Sequence, residues 1–273
     1  MTTTVEQVVT ALEQRYPPEL ASDWDAVGLV CGDPAASVQQ VLFAVDPVLS
    51  VVDEALAVGA DMIVAHHPLF LHGVHSVAST TPKGRVVHTL ISHGIALYCA
   101  HTNADHARPG VSDAVAEACG LGATTAIDPA GEQVGTGRVG DLPEATTVGE
   151  LGDRLASALP ATEHGIRIAG DLDAPVRRLA VCGGAGDSLL ESLDPAVDVY
   201  VTGDLRHHRA QDYLLATGKA LIDVPHWAAE WLWLPQAAAS LDEDLGAGGA
   251  GTVTTSVSTI DTSPWSAHIG RTS

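Results

Sequence analysis

Two adjacent histidines, His66 and His67, end an apolar run and are followed at once by a proline. The run, residues 60–65, has the length and apolarity of a buried strand, and Pro68 keeps His67 out of helical dihedrals. In open α/β sheets, ligands bind just beyond the carboxyl ends of strands. Imidazole is the commonest protein metal ligand, so this strand end predicts a metal site. Two loop histidines, one of them packed, are the alternative.

A second pattern, a histidine followed four residues later by an acid, occurs twice further along the chain. It joins His101 to Asp105 and His226 to Glu230. Side chains at positions i and i+4 of a helix point the same way, so each pair can share one ion, although either pair alone could be a solvated helix pair. Five candidate ligands are too many for one tetrahedral site and suit two ions bridged by a carboxylate: His66, His67, Asp105, His226 and Glu230.

The elements that must position these side chains form two similar blocks. The first block reads as strands at 41–45, 60–65 and 95–100 with helices at 49–58 and 85–93. The second reads as strands at 176–182, 197–201 and 220–224 with a helix ending at Thr217. This alternation predicts parallel strands, and the match of 59–65 to 196–202 indicates an internal duplication. We expect an α/β fold of two similar halves with mixed, largely parallel sheets and a metal cleft between them.

Composition sets the expected domain boundaries. Residues 131–175 are rich in glycine, proline and alternating charge. We therefore predict one domain of residues 1–127 plus 226–273 and a second domain of residues 128–225.

Local patterns predict three further features. Thr3 and Glu6 form a capping-box pattern ahead of an opening amphipathic helix. The glycine-rich turn at 183–186 lacks the lysine and hydroxyl of a phosphate loop, so a tight strand-to-helix turn is favoured. Residues 242–251 are expected to form a flexible acidic loop, followed by a half-buried strand at 252–260.

The charge balance excludes some classes of partner. The chain has 13 Lys and Arg against 34 Asp and Glu, a formal net charge of −21. Nucleic-acid binding depends on Lys and Arg, so it is disfavoured. The four cysteines are scattered and are expected to be reduced thiols. We find no secretion signal and no apolar run of about 18 residues, which predicts a cytoplasmic protein without a membrane partner.

In combination, these motifs resemble the Nif-three-like dinuclear metal centre hexameric proteins, also called GTP cyclohydrolase I type 2 homologs. The resemblance spans residues 24 to 230 and rests on Trp24–Leu29, Ala65–Leu69, Ala100–Asp105, Thr202–Asp204 with His208, and His226 with Glu230.

The resemblance implies that His66, His67, Asp105, His226 and Glu230 are the metal ligands. It implies that Glu230 bridges two divalent ions and that one histidine of the 66–67 pair binds each. Zinc, manganese, iron or nickel suits such ligands. His101 and His208 would stand near the metals and move protons.

The resemblance also implies a toroidal homohexamer and hydrolysis of a nucleotide, in which metal hydroxide attacks the imidazole carbon of GTP. Two alternatives stay open. One is phosphoester hydrolysis at the same ions, and the other is a non-catalytic metal-binding scaffold or adaptor.

Overall fold

The structure is a computed structural model that describes residues 2–247 and 253–269. The chain divides into two compact units, Met1–Ala107 with Leu234–Thr262 and Arg108–Trp233 with Ser263–Ser273. Each unit is built around one β-sheet with its own apolar core.

The first unit opens with a short strand that leads into a capped helix. Its elements through residue 106 are β1 (Thr3–Thr4), α1 (Val5–Arg15), β2 (Gly28–Cys31), β3 (Ser37–Val38), β4 (Gln40–Ala44), α2 (Leu49–Val58), β5 (Met62–Ala65), α3 (Pro82–His93), β6 (Ala96–Cys99) and α4 (Thr102–His106). The capping box lies one residue later than predicted and joins Thr4 to Gln7. Thr3 is instead buried and paired with β3.

The second unit has a longer run of strands. Its elements are α5 (Val111–Cys119), β7 (Thr124–Thr125), β8 (Asp128–Pro129), β9 (Gly135–Thr136), β10 (Arg138–Thr147), α6 (Val148–Ala158), β11 (Arg167–Ala169), β12 (Pro175–Ala185), β13 (Val199–Gly203), α7 (His207–Thr217), β14 (Ala220–Asp223) and α8 (His226–Trp231). The chain ends with α9 (Trp233–Ala247) and β15 (Thr254–Val257), and β15 joins the first unit's sheet beside β4.

Both sheets mix parallel and antiparallel pairing. The first sheet has the order β15-β4-β5-β6-β2, and the second has the order β11-β14-β13-β12-β10-β7. The central strands β4, β5 and β6 are parallel, as are β12, β13 and β14, whereas β2 and β11 pair antiparallel at an edge. The predicted α/β class with mixed sheets is confirmed.

The internal duplication is visible in topology and in detail. The order β4-β5-β6-β2 in the first sheet repeats as β12-β13-β14-β11 in the second. Asp61 accepts hydrogen bonds from the backbone N–H groups of Gln39 and Gln40 at 2.7 and 3.1 Å. Asp198, at the matching position, accepts those of Arg177 and Arg178, both at 2.9 Å. Each half therefore anchors the start of its first central strand through the same carboxylate.

A close approach of two strands recurs in the same way. Gly32 and Gly170 both have positive φ, and a Cβ on either would lie within 3 Å of Ala96 or Ala220 respectively. Only glycine fits where the edge strand crosses the last central strand so closely.

The compact units differ from the boundaries expected at 127/128 and 225/226. Helix α5 packs on β12, and α8 packs on β12 and β13, so both helices belong to the second unit. His226 and Glu230 are therefore built on the second sheet. The region 131–175, whose composition suggested the boundary, contains β10, α6 and β11.

The expected loop at 242–251 is wrong for residues 242–247, which belong to α9. Leu241 and Leu245 of this helix are buried, and Asp244 pairs with Arg15. Residues 248–251 lie outside the described part of the chain, while β15 falls inside the predicted strand. Among the described residues, no helix is long and apolar enough to cross a bilayer.

Candidate metal centre

The first unit gathers its candidate residues at the carboxyl ends of three parallel strands. Asp46 follows β4, the pair His66 and His67 follows β5, and His101 follows β6 as the N-cap of α4. The backbone N–H groups of His66 and His67 donate to Ala44 and Val45 at 3.0 and 2.8 Å, so the sheet ladder continues into the histidine pair. Pro68 then turns the chain away. Rigid strand ends therefore hold these side chains.

Each histidine of this group has its Nδ1 atom engaged by an acceptor. His66 Nδ1 lies 2.9 Å from the carbonyl oxygen of Ala100, His67 Nδ1 lies 2.8 Å from Asp46, and His101 Nδ1 lies 2.8 Å from Asp25. A carbonyl or carboxylate oxygen can only accept, so the ring proton belongs on Nδ1. Nε2 of each neutral imidazole then keeps its lone pair, which is the arrangement of metal-binding histidines.

The three rings converge. One ligand atom from each of His66, His67 and His101 lies within 4.8 Å of the others, and His66 is fully buried. Ring centroids of neighbouring pairs are 5.1 to 5.5 Å apart. Asp105, one turn into α4, brings its Oδ1 atom to 3.7 Å from His66 Nε2. We call His66, His67 and His101 the histidine cluster. With Asp105 beside it, the cluster can hold a divalent metal ion.

Asp25 fixes the position of His101. Its carboxylate is fully buried, and it also accepts the backbone N–H of Thr102 at 3.0 Å and that of Ala26 at 2.7 Å. Burial opposes ionisation, but the hydrogen bonds from His101 and Thr102 outweigh it and hold the pKa of Asp25 well below its usual range. An ionised Asp25 keeps the Nδ1 proton of His101 in place.

The second unit presents a histidine–acid pair on α8. His226 Nε2 lies 2.9 Å from Glu230 Oε1, so the i, i+4 spacing brings the two side chains together as predicted. His226 Nδ1 lies 2.8 Å from Asp204, the residue that follows β13. The hydrogen bond from His226 lowers the pKa of Asp204, although burial and the Glu230 charge act against this. This pair, too, has an Nδ1 held by a carboxylate.

The glycine-rich segment at 183–186, expected as a tight turn, is instead part of β12 as far as Ala185, and it leaves room for Glu230. Gly184 has a φ of +63°, and a Cβ there would lie 2.4 Å from Glu230 Oε1. The phosphate-loop alternative disfavoured above is not needed to explain this glycine, because the close approach of a buried carboxylate requires it. Gly186 similarly meets Tyr200, whose hydroxyl donates to the Gly186 carbonyl at 2.9 Å.

The predicted site residues thus fall into two groups. The first unit brings together His66, His67, Asp105 and also His101. The second unit brings together His226 and Glu230. His208 is exposed near the start of α7, and its ring packs edge-on against His207 at 5.1 Å between centroids. A proton-transfer role for His208 stays a prediction.

The sequence alone did not identify three carboxylates as the groups that orient the imidazoles, although Asp46 was expected either to reach the cleft or to cap a turn. Asp204 directly follows β13, Asp46 lies two residues after β4, and Asp25 lies next to Trp24 in a motif quoted above. The strand-end positions of Asp46 and Asp204 were the available signal. Their contact with a particular Nδ1 depends on the tertiary structure.

The fold and the site define a class: a duplicated α/β protein with histidines beyond the ends of parallel strands, each oriented through Nδ1 by an oxygen acceptor, in groups that could hold a metal ion. The chain belongs to the Duf34/NIF3 (NGG1p interacting factor 3) family, whose sequence profile matches residues 3–264.

Its relatives cover nearly the whole chain. A Streptomyces coelicolor protein named GTP cyclohydrolase 1 type 2 homolog is 50% identical, and the alignment covers 97% of this chain and 94% of the relative. A Mycobacterium tuberculosis protein of the same name is 36% identical over 97% of each chain. That alignment runs over 374 positions against the 273 residues here, so the mycobacterial relative contains inserted residues.

Solved structures agree with the fold. The Bacillus cereus protein related to NIF3 superposes with a TM-score of 0.90 at 25% identity, and the match covers 97% of this chain and 99% of that one. A hypothetical protein of Staphylococcus aureus gives a TM-score of 0.88 at 26% identity with the same coverage.

Proposed function

We propose that this protein binds two divalent metal ions through His66, His67, Asp105, His226 and Glu230 and acts as a hydrolase of the GTP cyclohydrolase 1 type 2 kind. The observation that carries the proposal is the engagement of Nδ1 in His66, His67, His101 and His226 by oxygen acceptors. Nε2 of His66 and of His226 then lies 3.7 and 2.9 Å from the carboxylates of Asp105 and Glu230, so each unit pairs an imidazole nitrogen with an acid, the donor types that divalent metals take. The names of the close relatives support the reaction class.

Bound divalent ions supply Lewis acidity and lower the pKa of a water molecule toward neutrality. The protein's own residues then have separate tasks. Burial of His66 and Glu230 excludes bulk water from the ligands. Asp25, Asp46 and Asp204 hold the imidazoles in one tautomer.

Two histidines are proposed to move protons. His101 would take up or release a proton at Nε2, because Asp25 retains the proton on Nδ1. His208, exposed at the start of α7, would do so from the second unit. The membership of His101 in the histidine cluster makes metal binding the competing role for this residue. A His101→Gln variant with full metal content and reduced turnover supports proton transfer, and a variant with reduced metal content assigns His101 as a ligand.

Metal content tests the proposal directly. Protein purified without a metal-affinity tag and supplemented with zinc, manganese, iron or nickel is analysed by elemental analysis. We expect about two ions per chain and a loss of at least one ion in His66→Ala and in Glu230→Ala. His88→Ala, an exposed histidine of α3, is the control. Fewer than about one ion per chain in the wild type contradicts the two-metal proposal.

The reaction is tested on the metal-loaded protein with GTP. Opening of the purine ring releases formate and changes the ultraviolet spectrum, whereas phosphoester hydrolysis releases phosphate. A fully loaded protein that yields neither product contradicts the hydrolase proposal and favours a metal-binding scaffold.

The assembly and location are part of the same proposal. The family resemblance supports a toroidal homohexamer. The acidic composition argues against nucleic-acid partners, and the scattered cysteines support a cytoplasmic location. Light scattering coupled to size-exclusion chromatography should give the mass of six chains.

A further inference from the structure

A cavity of about 280 Å³ lies beside the histidine cluster in the first unit. Its walls come from the ends of β4 and β5 and the beginnings of α2 and α3, and they include His67, Asp46, Val48, Leu69, Lys83 and Arg85. His67 is therefore shared between the cavity and the cluster.

The cations of the first unit are concentrated at this cavity. Residues 1–107 and 234–262 contain three Lys or Arg in all, namely Arg15, Lys83 and Arg85. Arg15 is paired with Asp244 and Glu243. Lys83 and Arg85 both line the cavity. In a chain of net charge −21, this placement creates a local positive region next to a proposed metal ligand.

The local structure fixes the backbone that carries the two cations. Gly84, between them, lies so close to the Ala78 carbonyl that a Cβ would be 2.1 Å from its oxygen. Thr81 caps α3 by accepting the Gly84 N–H at 3.1 Å. The Lys83 ammonium lies 5.8 Å from the centroid of the Phe70 ring, a cation–π contact that restrains it.

Asp46, the acidic residue of the cavity wall, already accepts two hydrogen bonds within the protein. Asp46 accepts a hydrogen bond from His67 Nδ1 on one carboxylate oxygen and from the Thr262 hydroxyl on the other. Helix α2 begins at Leu49, and its N-cap Val48 makes no side-chain hydrogen bond. Both residues line the cavity and no acid lies in the first turn, so the positive end of the helix dipole contributes to this wall. The remaining lining is largely apolar, which strengthens electrostatic attraction.

We propose that this cavity binds the phosphate group of a phosphate-bearing ligand through Lys83 and Arg85. This places the rest of the ligand beside His67. The inference rests on the proposed function only in treating that ligand as the substrate. The binding of phosphate itself does not require a metal.

The test uses the full-length protein stripped of metal with a chelator, so that binding of phosphate to a metal ion cannot contribute. Isothermal titration calorimetry measures the affinity for inorganic phosphate in the wild type and in Lys83→Gln/Arg85→Gln. We expect the double variant to weaken binding at least about tenfold, because two charge-assisted contacts are lost. Arg177→Gln/Lys219→Gln removes the same charge from the second unit and should bind as the wild type does.

Equal affinity in the wild type and Lys83→Gln/Arg85→Gln, or equal weakening in the control, overturns the proposal. Competition identifies the source of the phosphate, since GTP displaces inorganic phosphate if the ligand is a nucleotide and guanosine does not. Metal content, measured separately, should be unchanged in both double variants. A wild type that binds phosphate through Lys83 and Arg85 but retains no metal overturns the proposed function alone.

Discussion

Asp204 holds His226 from a backbone conformation that few residues adopt. Its carboxylate oxygen lies 2.8 Å from His226 Nδ1, and its φ is +55° in the left-handed region. Among the described residues, Asp204 is the only non-glycine residue with positive φ. Asp and Asn tolerate this region better than other residues do. The strained backbone conformation of Asp204 therefore occurs at the residue that orients His226, a proposed metal ligand.

We predict that Asp204→Gly weakens metal binding about 10- to 100-fold, because the imidazole loses the partner that fixes its tautomer. Glycine keeps the backbone conformation, so the fold is retained. Asp204→Asn, whose amide oxygen can still accept a hydrogen bond from the Nδ1–H of His226, should stay closer to the wild type. Competition with a chromogenic chelator measures both affinities. Equal affinities for Asp204→Gly and the wild type would show that the contact has no orienting role.

Gly184→Ala should displace Glu230. The new Cβ would lie 2.4 Å from Glu230 Oε1, and the flexible carboxylate would move before the backbone does. We expect lower metal content with a loss of stability of about 1 kcal/mol from the left-handed backbone. Gly218→Ala is a matched control, since its φ is +68° and nothing lies within 4 Å of the added Cβ. Similar metal contents in the two variants would contradict this role for Gly184.

The buried Arg138 should dominate the stability of the second unit. Its guanidinium is fully buried, pairs with both carboxylate oxygens of Asp113 at 2.8 and 2.7 Å, and donates to the carbonyls of Gly135 and Gly137. Arg138→Met removes the guanidinium donor from both carbonyls and leaves Asp113 with only the Gly110 N–H at 2.9 Å and the more distant Arg108 at 4.0 Å, so it should cost about 3–5 kcal/mol. Urea denaturation followed by tryptophan fluorescence measures the change.

A double variant separates the charge from the packing. Arg138→Met/Asp113→Ala also removes the Asp113 carboxylate that had paired with Arg138. It should recover part of the lost free energy of unfolding. A loss below about 1 kcal/mol in Arg138→Met would mean that water replaces the guanidinium.

Asp198 should make folding stability depend on pH at the acidic end. Burial would raise its pKa, but the N–H groups of Arg178 and Arg177 and the charge of Lys219 lower it below the usual carboxyl value. A carboxyl whose pKa is lower in the folded protein stabilises the fold above its unfolded pKa, and this stability is lost as the pH falls through the folded pKa.

We therefore expect Asp198→Asn to be less stable than the wild type by about 1 kcal/mol at pH 7. The difference should shrink below about pH 4. Asp212→Asn, at an exposed position of α7, is the control and should show neither effect. A difference that stays constant down to acidic pH would contradict the assignment of this stability to the Asp198 charge.

Much of the fold could be predicted because short apolar runs and periodic patterns in the sequence specify its central strands and helices. The helix expected at 49–58 is found at Leu49–Val58, and the strand expected at 41–45 is found at Gln40–Ala44. Helix α6 was missed although its capping box, Thr147 with Glu150, is of the same kind as that of α1. The surrounding glycines and charges obscured this signal.

Other features depend on contacts that no local pattern reveals. Residues 242–247 are helical because α9 buries leucines and pairs Asp244 with Arg15, which is 229 positions away. The histidines and acids of the candidate site could be predicted from spacing. Their tautomers could not, because Asp25 reaches His101 across 76 residues.

The repeated sheet order has an evolutionary consequence. A half-length ancestor with this fold would have carried one His-x-x-x-acid segment after its last central strand and could have worked as a symmetric pair of identical chains. Fusion of the two genes would have freed each copy from that symmetry. The strand end that holds His66 and His67 in one half holds Gly203 and Asp204 in the other. One half thus supplies two adjacent imidazoles. The other half supplies Asp204, the carboxylate that orients the imidazole of His226.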